Sequence, residues 1–248
     1  MTDGRLHGPS VRTFARRAGH VALTVMAVLL FMSPGTPKPF LDDSGKPLGG
    51  SISEKIKVNI NGVEQGMFIK GKNARNPVLL YLHGGMPDYF LTEHYPTGLD
   101  EYFTVVWWEQ RGSGLSYSAD IPPESVNPGQ LVTDAVEVTN YLRKRFDQEK
   151  IYLMGHSGGT FIGIQAAVQA PKLYHAYLGV AQMSNQLESE RLAYGYMLQR
   201  FRDDGNTKMV RRLEEARVGD AIPLPDSYLK VRDVATIPAA GPPAGGSG

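Results

Sequence analysis

The chain has 248 residues, 42% of them hydrophobic and 21% charged, which is the composition of a folded globular protein rather than of a disordered one. Its 26 Lys and Arg residues nearly balance 25 Asp and Glu residues, so the net charge of +1 offers no basic excess for binding nucleic acid. The lack of cysteine excludes disulfides, thiolate catalysis and zinc sites with cysteine ligands.

The first 35 residues have the layout of a targeting segment. An apolar run over residues 21–32 would span about 18 Å as a helix, which is less than the ~30 Å hydrocarbon core of a bilayer. We therefore expect residues 1–35 to be a signal peptide; the alternatives are an uncleaved membrane anchor through residues 18–32 and a buried N-terminal helix. Both export readings predict a secreted, periplasmic or membrane-anchored protein rather than a cytoplasmic one. The positive charge before the run comes from four arginines: Arg5, Arg12, Arg16 and Arg17.

The next part of the chain contains the pattern of a β-hairpin followed by two buried strands. Residues 56–60 alternate apolar and polar, Asn61-Gly62 is a turn pair, and residues 66–70 return. The runs VLLYL over Val78–Leu82 and TVVWW over Thr104–Trp108 are apolar throughout, which is typical of strands covered on both faces.

Strands and helices then alternate. Asn127 and Pro128 start an amphipathic helix, residues 151–154 form a third buried strand, residues 158–170 form an apolar helix, and residues 177–182 form a fourth buried strand. With the hairpin this gives six strands. The alternation predicts an α/β fold with a mostly parallel sheet and helices on both faces.

Residues 155–159 (GHSGG) match the pattern G-x-S-x-G, in which a serine occupies a strained turn between a strand and a helix. The match directly follows a predicted buried strand and opens an apolar helix, so we expect Ser157 to be a nucleophile. The backbone N–H of Gly158, at the start of that helix, and the N–H of Gly85, after the strand over Val78–Leu82, are the predicted donors of an oxyanion hole.

Three ordered motifs together resemble an α/β-hydrolase: HGG at residues 83–85, WEQRGSG at residues 108–114 and GHSGG at residues 155–159. The sequence is most similar to the prolyl aminopeptidase (proline iminopeptidase) group, over about residues 55–217. It departs from that group at Glu109 and Met86, where the group usually has Asp and Pro.

The resemblance implies a domain organisation and a role for one arginine. Residues 48–184 would be the α/β-hydrolase core and residues 185–234 the start of a helical lid. Residues 235–248, which end in Pro, Ala, Gly and Ser alone, are predicted to be a disordered tail. Arg111 would hold its loop together through its five donors rather than contact a substrate.

The acid and the base of a catalytic triad are not identifiable. The resemblance implies the chain order Ser, Asp or Glu, then His. The sole histidine after Ser157 is His175, only 18 residues on, which we interpret as a helix-end or surface residue. Glu188 is a candidate for an acid in an atypical position. We therefore expect a C-terminally truncated family member that lacks its last strands, exposes an apolar sheet edge and has weak or no activity.

Two functions remain open at this point. The first is a serine hydrolase that acts through an acyl-Ser157 intermediate on a small-molecule or peptide substrate, as an aminopeptidase releasing N-terminal proline or as an esterase. The second is a non-catalytic remnant or binding module. No cofactor, metal site or nucleic-acid partner is predicted, since Glu93-His94 lacks the second histidine of a metal hydrolase motif.

Overall fold

The computed structural model describes residues 37–85, 91, 96–220 and 222–239. The predicted targeting segment over residues 1–35, with the anchor alternative at residues 18–32, lies outside these ranges, as do Met86 and the Glu93-His94 pair. Among the described residues, no helix combines the length and apolar character that crossing a membrane requires.

The described strands form one sheet in the order β1-β2-β4-β3-β5-β6. Strand β2 pairs antiparallel with β1 and β4, and the remaining neighbours are parallel. This confirms the predicted mostly parallel sheet with an opening hairpin. The strands are β1 (Ile52–Ile60), β2 (Val63–Gly71), β3 (Val78–Leu82), β4 (Thr104–Trp108), β5 (Ile151–His156) and β6 (Tyr174–Val180).

Helices follow the strands in the predicted alternation and then continue without further strands in the described residues. Asn127 caps α2 by accepting a hydrogen bond from the Gln130 backbone N–H, and Asn185 caps α4 in the same way through Glu188. The helices are α1 (Leu99–Tyr102), α2 (Pro128–Arg145), α3 (Gly158–Gln169), α4 (Gln186–Asp203), α5 (Thr207–Glu215) and α6 (Asp226–Ala239).

The sheet separates two apolar clusters. The larger one lies between the sheet and helices α2 and α3, and its buried side chains include Leu82, Trp108 and Leu142. The smaller one lies on the opposite face, where the buried side chains include Leu79, Leu91 and Trp107. Parallel strands buried on both faces explain why VLLYL and TVVWW contain no charged residue.

Two sequence predictions are corrected by the structure. The fourth strand of the parallel part is Tyr174–Val180 rather than residues 177–182, and it is largely exposed rather than buried because it is the edge strand. Helix α6 extends to Ala239, and Ala235 is buried in it, so residues 235–239 are helical and not part of a disordered tail. The apolar side chain of Ala235 is covered by Met197 and Phe201, which supplies the packing that composition alone did not reveal.

Candidate active site

Ser157 lies in a strained turn between β5 and α3, at the carboxyl edge of the sheet. Its φ of 50° and ψ of −122° are rarely adopted by residues other than glycine and cost about 1–3 kcal/mol. Its backbone N–H donates to the Val180 carbonyl at 2.9 Å, so the end of β6 supports the turn. The turn thus holds the Ser157 side chain, which is partly exposed, at the edge where the parallel strands end.

Glycines two residues on either side of Ser157 permit this turn. A Cβ atom on Gly159 would lie 2.1 Å from the Leu82 carbonyl oxygen, and one on Gly155 would lie 2.7 Å from the Gly159 carbonyl oxygen. Both distances are far below any van der Waals contact. Helix α3 can therefore approach the end of β3 closely only because Gly159 lacks a side chain, and its first turn can lie against β5 only because Gly155 does.

The loop after β3 packs directly on Ser157. A Cβ atom on Gly84 would lie 2.9 Å from the Ser157 Cβ, and one on Gly158 would lie 3.7 Å from the Gly85 nitrogen. The structure therefore brings Ser157, Gly158 and the predicted donor Gly85 together. The structure also shows that Gly84 contacts Ser157, which the sequence analysis did not predict. The adjacent glycines at positions 84 and 85 indicated a close contact, but the sequence does not reveal which of the two makes it.

The His83 side chain orients the Gly84–Gly85 peptide. Its Nδ1 lies 2.7 Å from the Gly84 carbonyl oxygen, and its Nε2 accepts a hydrogen bond from the Gln110 backbone N–H at 3.4 Å. Since Nε2 accepts, Nδ1 carries the proton and donates to Gly84. In a trans peptide the carbonyl and the following N–H point in opposite directions, so this bond turns the Gly85 N–H away from His83.

Gln110 and Trp107 hold His83 in this position. The Gln110 side-chain amide donates to the His83 carbonyl oxygen at 2.8 Å, and the imidazole stacks on the Trp107 indole with ring centres 5.9 Å apart. The loops after β3 and β4 are thus fixed to each other at the edge where Ser157 lies.

Glu109 is used within its own loop. Its Oε1 accepts a hydrogen bond from the Trp107 indole N–H at 2.9 Å. Gly114, with φ of 45°, leaves room for the carboxylate, because a Cβ atom there would lie 1.7 Å from Glu109 Oε2. Glu109, which stands where the prolyl aminopeptidase group usually has Asp, thus packs against Gly114 of the same WEQRGSG motif.

Arg111 has the structural role that the sequence predicts. Its Nε donates to Asp134 Oδ2 at 2.7 Å and its Nη2 to Asp134 Oδ1 at 3.1 Å, with both side chains almost completely buried. Burial by itself would raise the pKa of Asp134, but the hydrogen bonds from Arg111 and three neutral side chains outweigh it and place the pKa below its usual value. Those three donors are Asn61, Gln130 and Gln65.

The histidine that follows Ser157 in sequence does not approach it, and the candidate acid lies on α4. His175 lies near the start of β6, exposed, with its ring 5.0 Å from that of Tyr152. Tyr152 is five residues before Ser157 on β5, which corresponds to about 16 Å along a strand. Glu188 is exposed in the first turn of α4. Within the described ranges, the Ser157 hydroxyl has no imidazole nitrogen within hydrogen-bond distance.

Sequence reasoning also missed a buried acid in the helical region. Glu190 is 6% exposed; its Oε2 accepts from the Tyr228 hydroxyl at 2.9 Å and its Oε1 from Arg232 at 2.7 Å. Two causes raise the pKa of Tyr228 above its usual range: burial, which is the larger, and the hydrogen bond to the Glu190 carboxylate. The network ties α4 to α6, and no sequence pattern indicated it because Glu190 stands among other charged residues.

Comparison with known proteins places this geometry in a family. The hydrolase family described as serine aminopeptidase, S33, matches residues 75–198, which is half of the chain and includes the loop after β3, the loop after β4 and Ser157. The chain belongs to this α/β-hydrolase family. A probable aminopeptidase of Bacillus subtilis (strain 168) is 38% identical over 149 residues, which cover 59% of this chain and 47% of the relative. The chain thus spans about half the length of that relative.

Solved α/β-hydrolase structures give weaker matches. A proline iminopeptidase-related protein of Thermus thermophilus has a TM-score of 0.45 and 23% identity, over 60% of this chain and 49% of its own. An epoxide hydrolase from Vigna radiata has a TM-score of 0.46 and 22% identity, over 76% of this chain and 66% of its own.

Proposed function

We propose that this chain carries the nucleophile and the oxyanion hole of a serine hydrolase. Ser157 Oγ attacks the substrate carbonyl, and the backbone N–H groups of Gly85 and Gly158 donate to the oxygen that becomes negative. The observation that carries the proposal is the strained conformation of Ser157 between β5 and α3, against which Gly84 packs. Strain of this kind persists where the surrounding structure enforces it, and it concentrates at functional sites.

The reaction proposed is acyl transfer in two steps. A bond forms between Ser157 Oγ and the carbonyl carbon, the serine proton passes to a base, and the amine or alcohol leaves with a proton. Water then attacks the acyl-Ser157 ester and releases the acid. The family description and the Bacillus relative support an aminopeptidase acting on a peptide amino terminus, with an ester as the simpler substrate.

The described residues do not supply a general base for Ser157. In the described residues the ring nitrogens of His83 are both directed at loop atoms, and His175 is at the opposite end of the sheet. General-base assistance contributes about 10²–10⁴-fold to a rate. We therefore expect Ser157 to react slowly with carbonyl and phosphoryl electrophiles, at a rate lower by about that factor than in a complete triad.

A fluorophosphonate probe tests the assignment of Ser157. We expect a single covalent adduct on the peptide that contains Ser157, absent from Ser157→Ala and unchanged in Ser184→Ala, whose exposed serine is the matched control. Equal labelling of the Ser157→Ala variant would overturn the proposal. Labelling spread over several exposed serines would overturn it as well, because it would show no preference for the strained position.

The second candidate is a binding module without catalysis, and it is favoured because no imidazole nitrogen of the described residues lies within hydrogen-bond distance of the Ser157 hydroxyl. It predicts a folded protein that retains a peptide ligand with no adduct at Ser157. Mass spectrometry of the intact protein after exposure to a peptide ester separates the two, since only the hydrolase acquires the mass of an acyl group.

A further inference from the structure

A cavity of about 380 Å³ lies at the amino-terminal end of the parallel strands, remote from Ser157. Lys70 of β2 lines it; this residue is paired with Val105 near the start of β4, whereas Ser157 follows the end of β5. The cavity therefore belongs to neither the proposed nucleophile nor its oxyanion hole. Its walls are largely apolar and include Pro39, Phe40, Leu41, Leu91 and Pro96.

Lys70 is 7% exposed, yet its ammonium group is poorly satisfied. Its Nζ has one hydrogen bond to a described residue, to the Leu91 carbonyl oxygen at the long distance of 3.5 Å, and it lies 4.9 Å from the centre of the Phe40 ring. An ammonium group has three donors, so two of them lack a described partner. No described carboxylate approaches within 4.0 Å of Lys70 Nζ.

Lys72 shows the usual arrangement at the same cavity. It is two residues further along the chain, just after β2, and its Nζ forms an ion pair with Glu101. Lys72 is half exposed, whereas Lys70 is buried and lacks a described counter-charge. A buried cation without a partner is unfavourable in a folded protein, and such groups are retained where a ligand or a reaction uses them.

We propose that this cavity binds a small organic monocarboxylate, with its carboxylate on Lys70 and its apolar body against Phe40 and Leu91. A single lysine without a counter-charge among the described residues matches one negative charge. Asp100 and Glu101 also line the cavity and disfavour a dianion such as phosphate. The proposal is independent of the function of Ser157.

The test titrates 3-phenylpropionate into the full chain and follows binding by calorimetry. We expect saturable binding by the unmodified chain, with the affinity reduced at least tenfold in Lys70→Met and changed less than threefold in Lys55→Met, an exposed lysine on the neighbouring strand β1. The neutral amide 3-phenylpropionamide, which has nearly the same shape and lacks the charge, should bind at least tenfold more weakly than the acid.

Each other outcome contradicts the proposal. No saturable binding of 3-phenylpropionate, or equal affinity in the unmodified chain and Lys70→Met, overturns the site. Competition by inorganic phosphate at the same concentration as the acid overturns the monocarboxylate class. Lys70→Gln, which keeps a polar side chain, is the second variant, and a thermal melt of both variants confirms that any lost binding is not lost folding.

Discussion

The two sides of the sheet differ in how completely their polar and apolar side chains are covered. On the hairpin side, Arg111 and Asp134 are almost completely buried and are hydrogen-bonded to side chains from β2 and α2. On the opposite side, β6 pairs only with β5 in the described residues, and Leu178 and Val180 are 45% and 42% exposed. Helix α3 adds apolar side chains on that side, with Phe161 43% and Val168 74% exposed.

This difference shows what positions Ser157. The loops after β3 and β4 are held by buried hydrogen bonds, and the first of them carries Gly84 and Gly85. The other support of the turn is the bond from the Ser157 N–H to Val180, on the uncovered edge strand. Within the described ranges, the site therefore has one fully packed side and one side that ends at an exposed strand, and variants on the two sides should have different consequences.

The largest effect is expected on the packed side. Arg111→Met leaves the Asp134 carboxylate buried without its charged partner, which should lower the free energy of unfolding by about 3–5 kcal/mol. The exposed pair Arg211–Glu215 is the control, and Arg211→Met should cost less than about 0.5 kcal/mol. Urea unfolding measures both. If Arg111→Met and Arg211→Met lowered the free energy of unfolding by the same small amount, the buried pair would not stabilise this side of the sheet.

The same pair predicts a pH dependence. The pKa of Asp134 is lower in the folded chain than the unfolded value of about 3.9, so its contribution is fully present above that value and is lost as the pH falls through the folded pKa. The difference in unfolding free energy between the unmodified chain and Asp134→Asn should therefore shrink below about pH 4. A difference that is constant from pH 7 to pH 3 would contradict the assigned direction.

The next largest effect is expected where α3 meets β3. Gly159→Ala would place a Cβ atom 2.1 Å from the Leu82 carbonyl oxygen, so we expect a loss of about 3 kcal/mol in unfolding free energy. Gly195→Ala is the matched control. Gly195 is exposed within α4 and has nothing within 4 Å of the added Cβ atom, so the change should stabilise the chain by about 0.5–1 kcal/mol. Thermal unfolding of both variants decides whether the close approach exists.

A smaller gain is expected from relieving the strained turn. Ser157→Gly should raise the unfolding free energy by about 1 kcal/mol, because glycine adopts positive φ without the steric cost that serine has. Ser157→Ala keeps the cost and should change stability by less than about 0.5 kcal/mol. If the glycine variant is no more stable than the alanine variant, Ser157 is not strained in solution.

The smallest change in stability is expected at the open edge. Leu178→Lys should alter the unfolding free energy by less than about 0.5 kcal/mol while reducing self-association, because a charged side chain discourages pairing at a strand edge. Leu192→Lys, at an exposed leucine on α4, should leave self-association unchanged. Sedimentation velocity at several concentrations provides the measurement, and identical profiles for the two variants would argue against an associating edge.

The strands and the Ser157 turn were predictable because their signals are local. VLLYL and TVVWW are continuous apolar runs, which indicate buried strands. The glycines around Ser157 indicate where the backbone of the helix must pass close to the strands. The position of Ser157 between a strand and a helix agrees with the sequence prediction, and its role as nucleophile stays a prediction.

The parts that were mispredicted depend on contacts between distant residues. An apolar strand at a sheet edge has the same composition as a buried one, so the exposure of Leu178 could not be inferred from its segment. Ala235 is buried in one cluster with Met197 and Phe201, and Lys70 is buried beside the Phe40 ring and the Leu91 carbonyl group. These contacts are set by the fold and leave no periodic pattern in the sequence.

The most direct test of the account is the rate at which a fluorophosphonate labels Ser157 as imidazole is added to the solution. If the strained turn presents an intact nucleophile and the described residues bring no imidazole to it, the labelling rate should rise in proportion to the concentration of unprotonated imidazole, with the adduct confined to Ser157. A rate that is independent of imidazole, or no adduct on Ser157 of the folded chain at any imidazole concentration, would contradict it.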